Sequence, residues 1–114
     1  YLYNPDNPVP TAGGALCCNP YFAANGAYDQ NAVEERQDVL VYSTAPLEKD
    51  TEVTGPVTVT LWASTSTTDT DFTAKLVDVC EDGCARNLTD GIIRARYRDS
   101  MSNPTLLEPN RAYC

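Results

Sequence analysis

The sequence predicts an all-β sandwich reached through a long N-terminal loop arm. From Asp38 onward the chain breaks into short runs rich in Val, Ile, Thr and aromatic residues, separated by Gly, Pro, Asn and Asp, which is the spacing of strands in a sandwich. Residues 57–64 alternate, with Val57, Val59, Leu61 and Ala63 on one face and Thr58, Thr60 and Trp62 on the other. That period of two belongs to a half-buried strand. Before Asp38 there is no sustained period of either kind, and four of the eight prolines fall there.

These features divide the chain into an ordered loop arm, residues 1–38, and a β-sandwich, residues 39–114. Within the arm the only helical signal lies at 31–36, about one and a half turns long, and so short a helix is marginal in isolation. Residues 39–43 predict the first strand, 52–55 a short second and 57–64 a third. The run 72–80 predicts the next, and Glu81, Asp82 and Gly83 form a turn that reverses the chain. A short return through 86–88 leads into 91–98, where Ile93, Ala95 and Tyr97 face one way and Arg94, Arg96 and Arg98 the other. Arg111, Ala112 and Tyr113 begin what reads as one more strand.

Composition excludes several functions. Sixteen acidic residues against eight basic ones give a charge of −8, which repels nucleic-acid phosphates and anionic membrane surfaces. Neither is an expected partner. The three clustered arginines read as one solvated strand face paired with neighbouring acids. Histidine is absent, which removes the usual general base of Ser and Cys nucleophiles and the commonest metal ligand. No G-x-S-x-G elbow and no phosphate-binding glycine loop occurs. No cofactor or metal site is expected. The carboxylates of Asp69 and Asp71 stand two apart, yet the following glycine and distant glutamate of a calcium loop are missing. Asp69 is expected to cap a turn and Asp71 to pair with an arginine. Asn87-Leu88-Thr89 fits the N-glycosylation triplet, which is common by chance, and carries no assignment here.

The five cysteines, Cys17, Cys18, Cys80, Cys84 and Cys114, fit no zinc spacing. If residues 81–83 form a tight turn, Cys80 and Cys84 lie close to opposite each other. A cross-hairpin disulfide and a pair of free thiols are both open, and the disulfide would indicate an oxidising compartment. With no initiator Met and no leader before Tyr1, the sequence reads as part of something longer.

Several blocks carry a more specific signal. They are Tyr1-Leu2-Tyr3-Asn4-Pro5, Pro8-Val9-Pro10-Thr11 with Gly13-Gly14, Tyr28-Asp29-Gln30, Asp38-Val39-Leu40-Val41-Tyr42 and Glu52-Val53-Thr54-Gly55-Pro56. Two longer ones follow, from Asp69-Thr70-Asp71-Phe72 to Val79 and from Asp90-Gly91-Ile92-Ile93 to Arg98. In this order they resemble the C-terminal domain of the X-Pro dipeptidyl-peptidase and cocaine-esterase type of α/β-hydrolases, over essentially the whole chain. The resemblance implies a jelly-roll, galactose-binding-like β-sandwich, here expected to stop before its last strands. It also implies a partner, a catalytic α/β-hydrolase domain that supplies the Ser, Asp and His and acts on esters or X-Pro peptides. None of that triad maps onto this chain, which by itself is expected not to be an enzyme.

By the same resemblance the segment after Gly13-Gly14 runs towards the catalytic domain, and Leu16, Cys17 and Cys18 help to line the acyl side of the substrate pocket. Where large apolar residues stand in the family, Cys17 and Cys18 would leave more room beside the reacting bond. Buried packing, or pairing with cysteines elsewhere, is the plainer alternative for these two. Other functions remain open: a carbohydrate-binding module, for which Trp62 is the available indole, or a structural subunit associating through open sheet edges. The resemblance points to a bacterial protein, cytoplasmic, or secreted or periplasmic if the cysteines pair.

Overall fold

The computed structural model describes residues 1–16, 21 and 25–114. Its regular structure is a short helix α1 (Asn31–Glu34), two strands β1 (Asp71–Val79) and β2 (Ala85–Arg94), and a 3-10 turn over Ala95–Tyr97. The strands form a two-stranded antiparallel sheet. Phe72, Thr73, Val77 and Val79 in β1 and Ile92 and Ile93 in β2 are β-branched or aromatic, side chains that suit a pleated surface. Chain reversal follows from the turn. The Gly83 N–H donates to the Cys80 carbonyl at 2.9 Å, the Cys80 N–H donates to the Cys84 carbonyl at 2.9 Å, and Gly83 takes φ 84°. This is a three-residue hairpin loop closed by a left-handed glycine.

Two compact units can be described, each by itself. One comprises Tyr1–Thr54 and Lys75–Asp90. Among the described residues its buried positions are Gly13, Gln30, Val33, Ala85 and Asn87, an interior in which two of the five are polar. Val33 is the inward residue of α1, and the helix begins where the Asp29 carboxylate accepts the Asn31 N–H at 3.2 Å, an Asx arrangement that satisfies an otherwise orphaned donor. The Arg36 guanidinium grips Asp38 through Nε and Nη2, each at 2.7 Å, and donates to the Asn7 carbonyl at 2.8 Å. That clamp ties the first residues to the end of the helical segment.

The other unit comprises Gly55–Ala74 and Gly91–Cys114, with Ala95 and Leu107 buried. Ala63 and Tyr113 exchange both backbone hydrogen bonds, at 2.9 and 2.8 Å, so the expected strand near Arg111, Ala112 and Tyr113 is present as a single bridge. Arg98 and Arg111 lie over the Tyr113 ring, 4.6 and 5.2 Å from its centroid.

Three expectations are corrected. The runs 39–43, 52–55 and 57–64 are not strands among the described residues, where Ala63 alone makes a bridge. Extended backbone becomes a strand only where a neighbouring segment takes up its N–H and C=O groups, and no such ladder forms along these runs. The described residues therefore form a hairpin and isolated bridges in place of a sandwich. The strand expected over 91–98 ends at Arg94. There the Ala95 N–H donates to the Thr70 carbonyl at 2.8 Å, and the Arg96 N–H is captured by the Asp69 carboxylate at 3.0 Å, which turns the chain into the 3-10 segment. Finally, the short return and the last run form one continuous strand, β2.

The arginines do pair with acids. Arg94 binds Asp71 through two bonds of 2.8 and 2.9 Å, and Arg98 reaches Asp99 at 3.3 Å. Arg96 Nε approaches Asp69 at 2.6 Å, a charge contact without hydrogen-bond alignment. Asp69 and Asp71 are thus each engaged by a guanidinium group. These pairs are largely solvated and add little stability.

Candidate functional site

The most constrained place among the described residues is a polar knot centred on Gln30, whose side chain is 1% exposed. Its amide nitrogen donates to the Ala12 carbonyl at 2.8 Å, the Tyr28 carbonyl at 3.0 Å and Asn87 Oδ1 at 3.2 Å. Its amide oxygen accepts from Lys75 Nζ at 2.8 Å. Oxygens on one side and an ammonium on the other decide which end of the amide is which. Asn87 is buried too: its Oδ1 also accepts the Tyr28 N–H at 2.7 Å, and its Nδ2 donates to the Gly26 carbonyl at 3.4 Å. So enclosed, Asn87 is a structural residue and not a glycan acceptor.

Residues 28–30 lie antiparallel to the start of β2. The Gln30 N–H donates to the Ala85 carbonyl at 2.7 Å and the Asn87 N–H to the Tyr28 carbonyl at 3.3 Å, around the Asp29 to Arg86 bridge. Asp29 adds a side-chain contact, accepting the Ala85 N–H at 3.0 Å. Backbone N–H bonds from Asn31 and Ala85 hold the Asp29 carboxyl below its usual value of 3.8. The hydrogen bond from Arg36 does the same to Asp38, and that from Arg94 to Asp71. A carboxylate with a depressed folded pKa contributes stability that is complete above its unfolded value and is lost as pH falls through the lower folded value. Unfolding monitored from pH 5 to pH 2 should therefore show stability declining below about pH 4. Asp29→Asn should flatten part of that decline, and an unchanged slope would remove Asp29 from the account.

What the knot holds is the base of a loop. Gly14 and Gly26 exchange backbone hydrogen bonds of 2.8 and 3.0 Å, closing the chain between them. Gly13 just before it has φ 68°, and a Cβ there would run into the Gly26 carbonyl oxygen and meet Tyr28 at 3.0 Å. Only glycine fits. Beside the base a concavity of about 250 Å³ is lined by Gly14, Ala15, Gly26, Ala27, Leu88 and Asp90, among others. Its surface offers backbone, small and apolar side chains, the Asn87 amide, the Thr89 hydroxyl and the Asp90 carboxylate.

Leu16 sits just inside this loop, 40% exposed. Cys17 and Cys18 lie outside the described residues. Cys80 and Cys84 are brought together at the hairpin turn, as half-buried free thiols. The sequence alone gives Tyr28-Asp29-Gln30 no role and shows Asn87 only within a glycosylation triplet.

The model of the X-Pro dipeptidyl-peptidase C-terminal non-catalytic domain matches residues 2–114. The chain belongs to that family. It is 51% identical over 113 residues to the cocaine esterase of Rhodococcus sp. (strain MB1 Bresler), an overlap of 99% of this chain and 19% of that protein. It is also 38% identical over 66 residues to the Mycobacterium tuberculosis protein named "Putative serine esterase MT1883", covering 58% of this chain and 10% of that one. The chain thus spans about a fifth or less of the length of these relatives. As a member of this family it is a C-terminal non-catalytic domain, in keeping with a sequence that lacks histidine.

Proposed function

We propose that this chain is the accessory domain of a larger serine hydrolase acting on esters or X-Pro peptides. There it packs against the catalytic α/β-hydrolase domain, and the loop between Gly14 and Gly26 borders the acyl side of the pocket through Leu16, Cys17 and Cys18. The observation that carries the reading is the base of that loop: a family Gly-Gly pair, closed by a backbone bridge and buttressed by a buried amide network. A loop that positions substrate needs a rigid support, because small displacements cost much of the rate. The names of the relatives, cocaine esterase and serine esterase, favour ester substrates.

The apolar surface supports a docked role as well. Leu40, Val41, Tyr42 and Val53 in one unit, and Val57 and Val59 in the other, are all exposed, and large exposed apolar side chains in such number suit surfaces that a partner covers. In the complete protein the runs 39–43, 52–55 and 57–64 would pair as strands of the jelly-roll. Burial contributes about 25 cal/mol per Å², so covering roughly 400 Å² contributes on the order of 10 kcal/mol, comparable to the stability of a whole domain. Trp62 is 73% exposed, the aromatic surface a sugar-binding module would use, but Val59 and Leu61 of the same run are exposed as well and suit a face covered by protein.

Two measurements test the proposal. By itself the chain should not hydrolyse p-nitrophenyl esters or Ala-Pro anilides above a buffer control. A rate that survives repurification and is blocked by a serine-directed inhibitor would sink the assignment. In the full-length protein, Cys18→Phe should shift the ratio of kcat/KM for benzoyl over acetyl esters by more than about threefold, roughly 0.7 kcal/mol, with thermal stability little changed. A smaller shift would mean the loop does not line the pocket.

A further inference from the structure

We propose that Cys80 and Cys84 form a dithiol site that reacts with small-molecule disulfides, such as oxidised glutathione, and closes into a cross-hairpin disulfide. This rests on the hairpin alone and is independent of the hydrolase reading. The Cys80 N–H donates to the Cys84 carbonyl at 2.9 Å and the Gly83 N–H to the Cys80 carbonyl at 2.9 Å, so the two cysteines are the last facing pair before the turn. Facing residues of an antiparallel pair project to one side with Cα atoms roughly 4.5 to 5.5 Å apart, inside the roughly 4.4 to 6.8 Å that a disulfide spans.

The turn holds this geometry without a cross-link. Gly83 supplies the left-handed φ of 84°, and Asp82 Oδ1 accepts the Cys84 N–H at 3.1 Å. Closure therefore needs side-chain rotation and little backbone movement. Both thiols are only half-buried, which leaves room for a small oxidant. Arg86 stands two residues beyond Cys84, as the second residue of β2. The thiolate is the attacking species.

The chemistry balances. One cysteine thiolate attacks a sulfur of R–S–S–R, whose S–S bond breaks, and the departing thiolate takes up a proton. The second cysteine, having released its proton to solvent, attacks the protein sulfur of the mixed disulfide and expels the second R–S⁻, which is protonated in turn. The protein loses two hydrogens, and the small disulfide is reduced to two thiols. The new bond would stand one residue from Ala85, whose N–H and C=O are held by Asp29 and Gln30, so closure places a covalent strut beside the support of the loop.

The experiment uses the full-length protein, reduced, equilibrated in glutathione redox buffers, acid-quenched, alkylated and digested with trypsin. Cleavage after Lys75 and Arg86 leaves both cysteines in one peptide, residues 76–86. That peptide should resist alkylation and lack two hydrogens. Its equilibrium constant against glutathione should be at least about tenfold larger in the native protein than in a synthetic peptide of the same residues. Cys80→Ser should leave Cys84 as a stable mixed disulfide with glutathione. Equal constants for native protein and peptide would overturn the proposal, as would persistent mixed disulfides in the unaltered protein or cross-links from Cys80 or Cys84 to Cys17, Cys18 or Cys114.

Discussion

Replacing Gln30 with glutamate is expected to lower the stability of the full-length protein by on the order of 3 kcal/mol, even though it creates a better partner for Lys75. The substitution keeps the shape and the oxygen that accepts from Lys75 Nζ at 2.8 Å. It removes the amide nitrogen that serves Ala12, Tyr28 and Asn87 and sets a carboxylate oxygen against those three acceptors. A buried acceptor left without a donor costs about 1 to 3 kcal/mol. The Ala12 carbonyl is left so, while the Tyr28 carbonyl and Asn87 Oδ1 keep the Asn87 and Tyr28 N–H groups but face a repelling oxygen. The gain at Lys75, an exposed residue, is that of a solvated ion pair, about 0 to 1 kcal/mol. The losses win. Lys75→Met leaves the Gln30 oxygen without its donor and should cost about 1 kcal/mol, the low end of that range, since Lys75 itself is exposed. Urea unfolding of the two variants checks the ratio, and a Gln30→Glu protein as stable as Lys75→Met would show that the amide network does not support the arm.

Gly13→Ala is expected to cost roughly 2 to 4 kcal/mol and to loosen the loop more than the rest of the protein. Holding alanine in the left-handed region accounts for about 1 to 2 kcal/mol of this. The remainder comes from the Gly26 carbonyl, a backbone atom in the path of the new Cβ. It cannot rotate away as a side chain could, and moving it breaks the Gly14 to Gly26 bridge. Limited proteolysis should show faster cleavage between Gly14 and Gly26 in the variant, together with a lower transition temperature. Gly55→Ala is a fair control for positive φ alone, since nothing lies within 4 Å of its Cβ position. If both substitutions cost the same, the close approach at Gly13 contributes nothing.

Local chemistry made some elements legible. The turn at Glu81, Asp82 and Gly83, the strand leading into it and the helical signal near Asn31 each depend on neighbours a few residues apart, and each stands where the residue pattern puts it. The pairing of Arg94, Arg96 and Arg98 with acids was equally readable, because a surface of opposite charges leaves few other outcomes. Apolar alternation was a weaker guide. Over 57–64 it identifies which side chains would share a face, but a strand also requires a partner to take its hydrogen bonds. The pattern cannot say whether the partner lies in the same stretch of chain.

By itself the sequence determined the family, the lack of a histidine-based catalytic apparatus, the acidic surface and the hairpin with its facing cysteines. These rest on residue identity and short-range geometry. Tertiary structure alone decided the role of Gln30, Asn87 and Gly13. Gln30 meets residues as far along the chain as Lys75 and Asn87, and an amide reads as an ordinary polar residue until folding encloses it. Gly13 is compelled by a carbonyl that only the closed loop brings near. Burial turns such groups from solvated and replaceable into constraints, since water can no longer satisfy them.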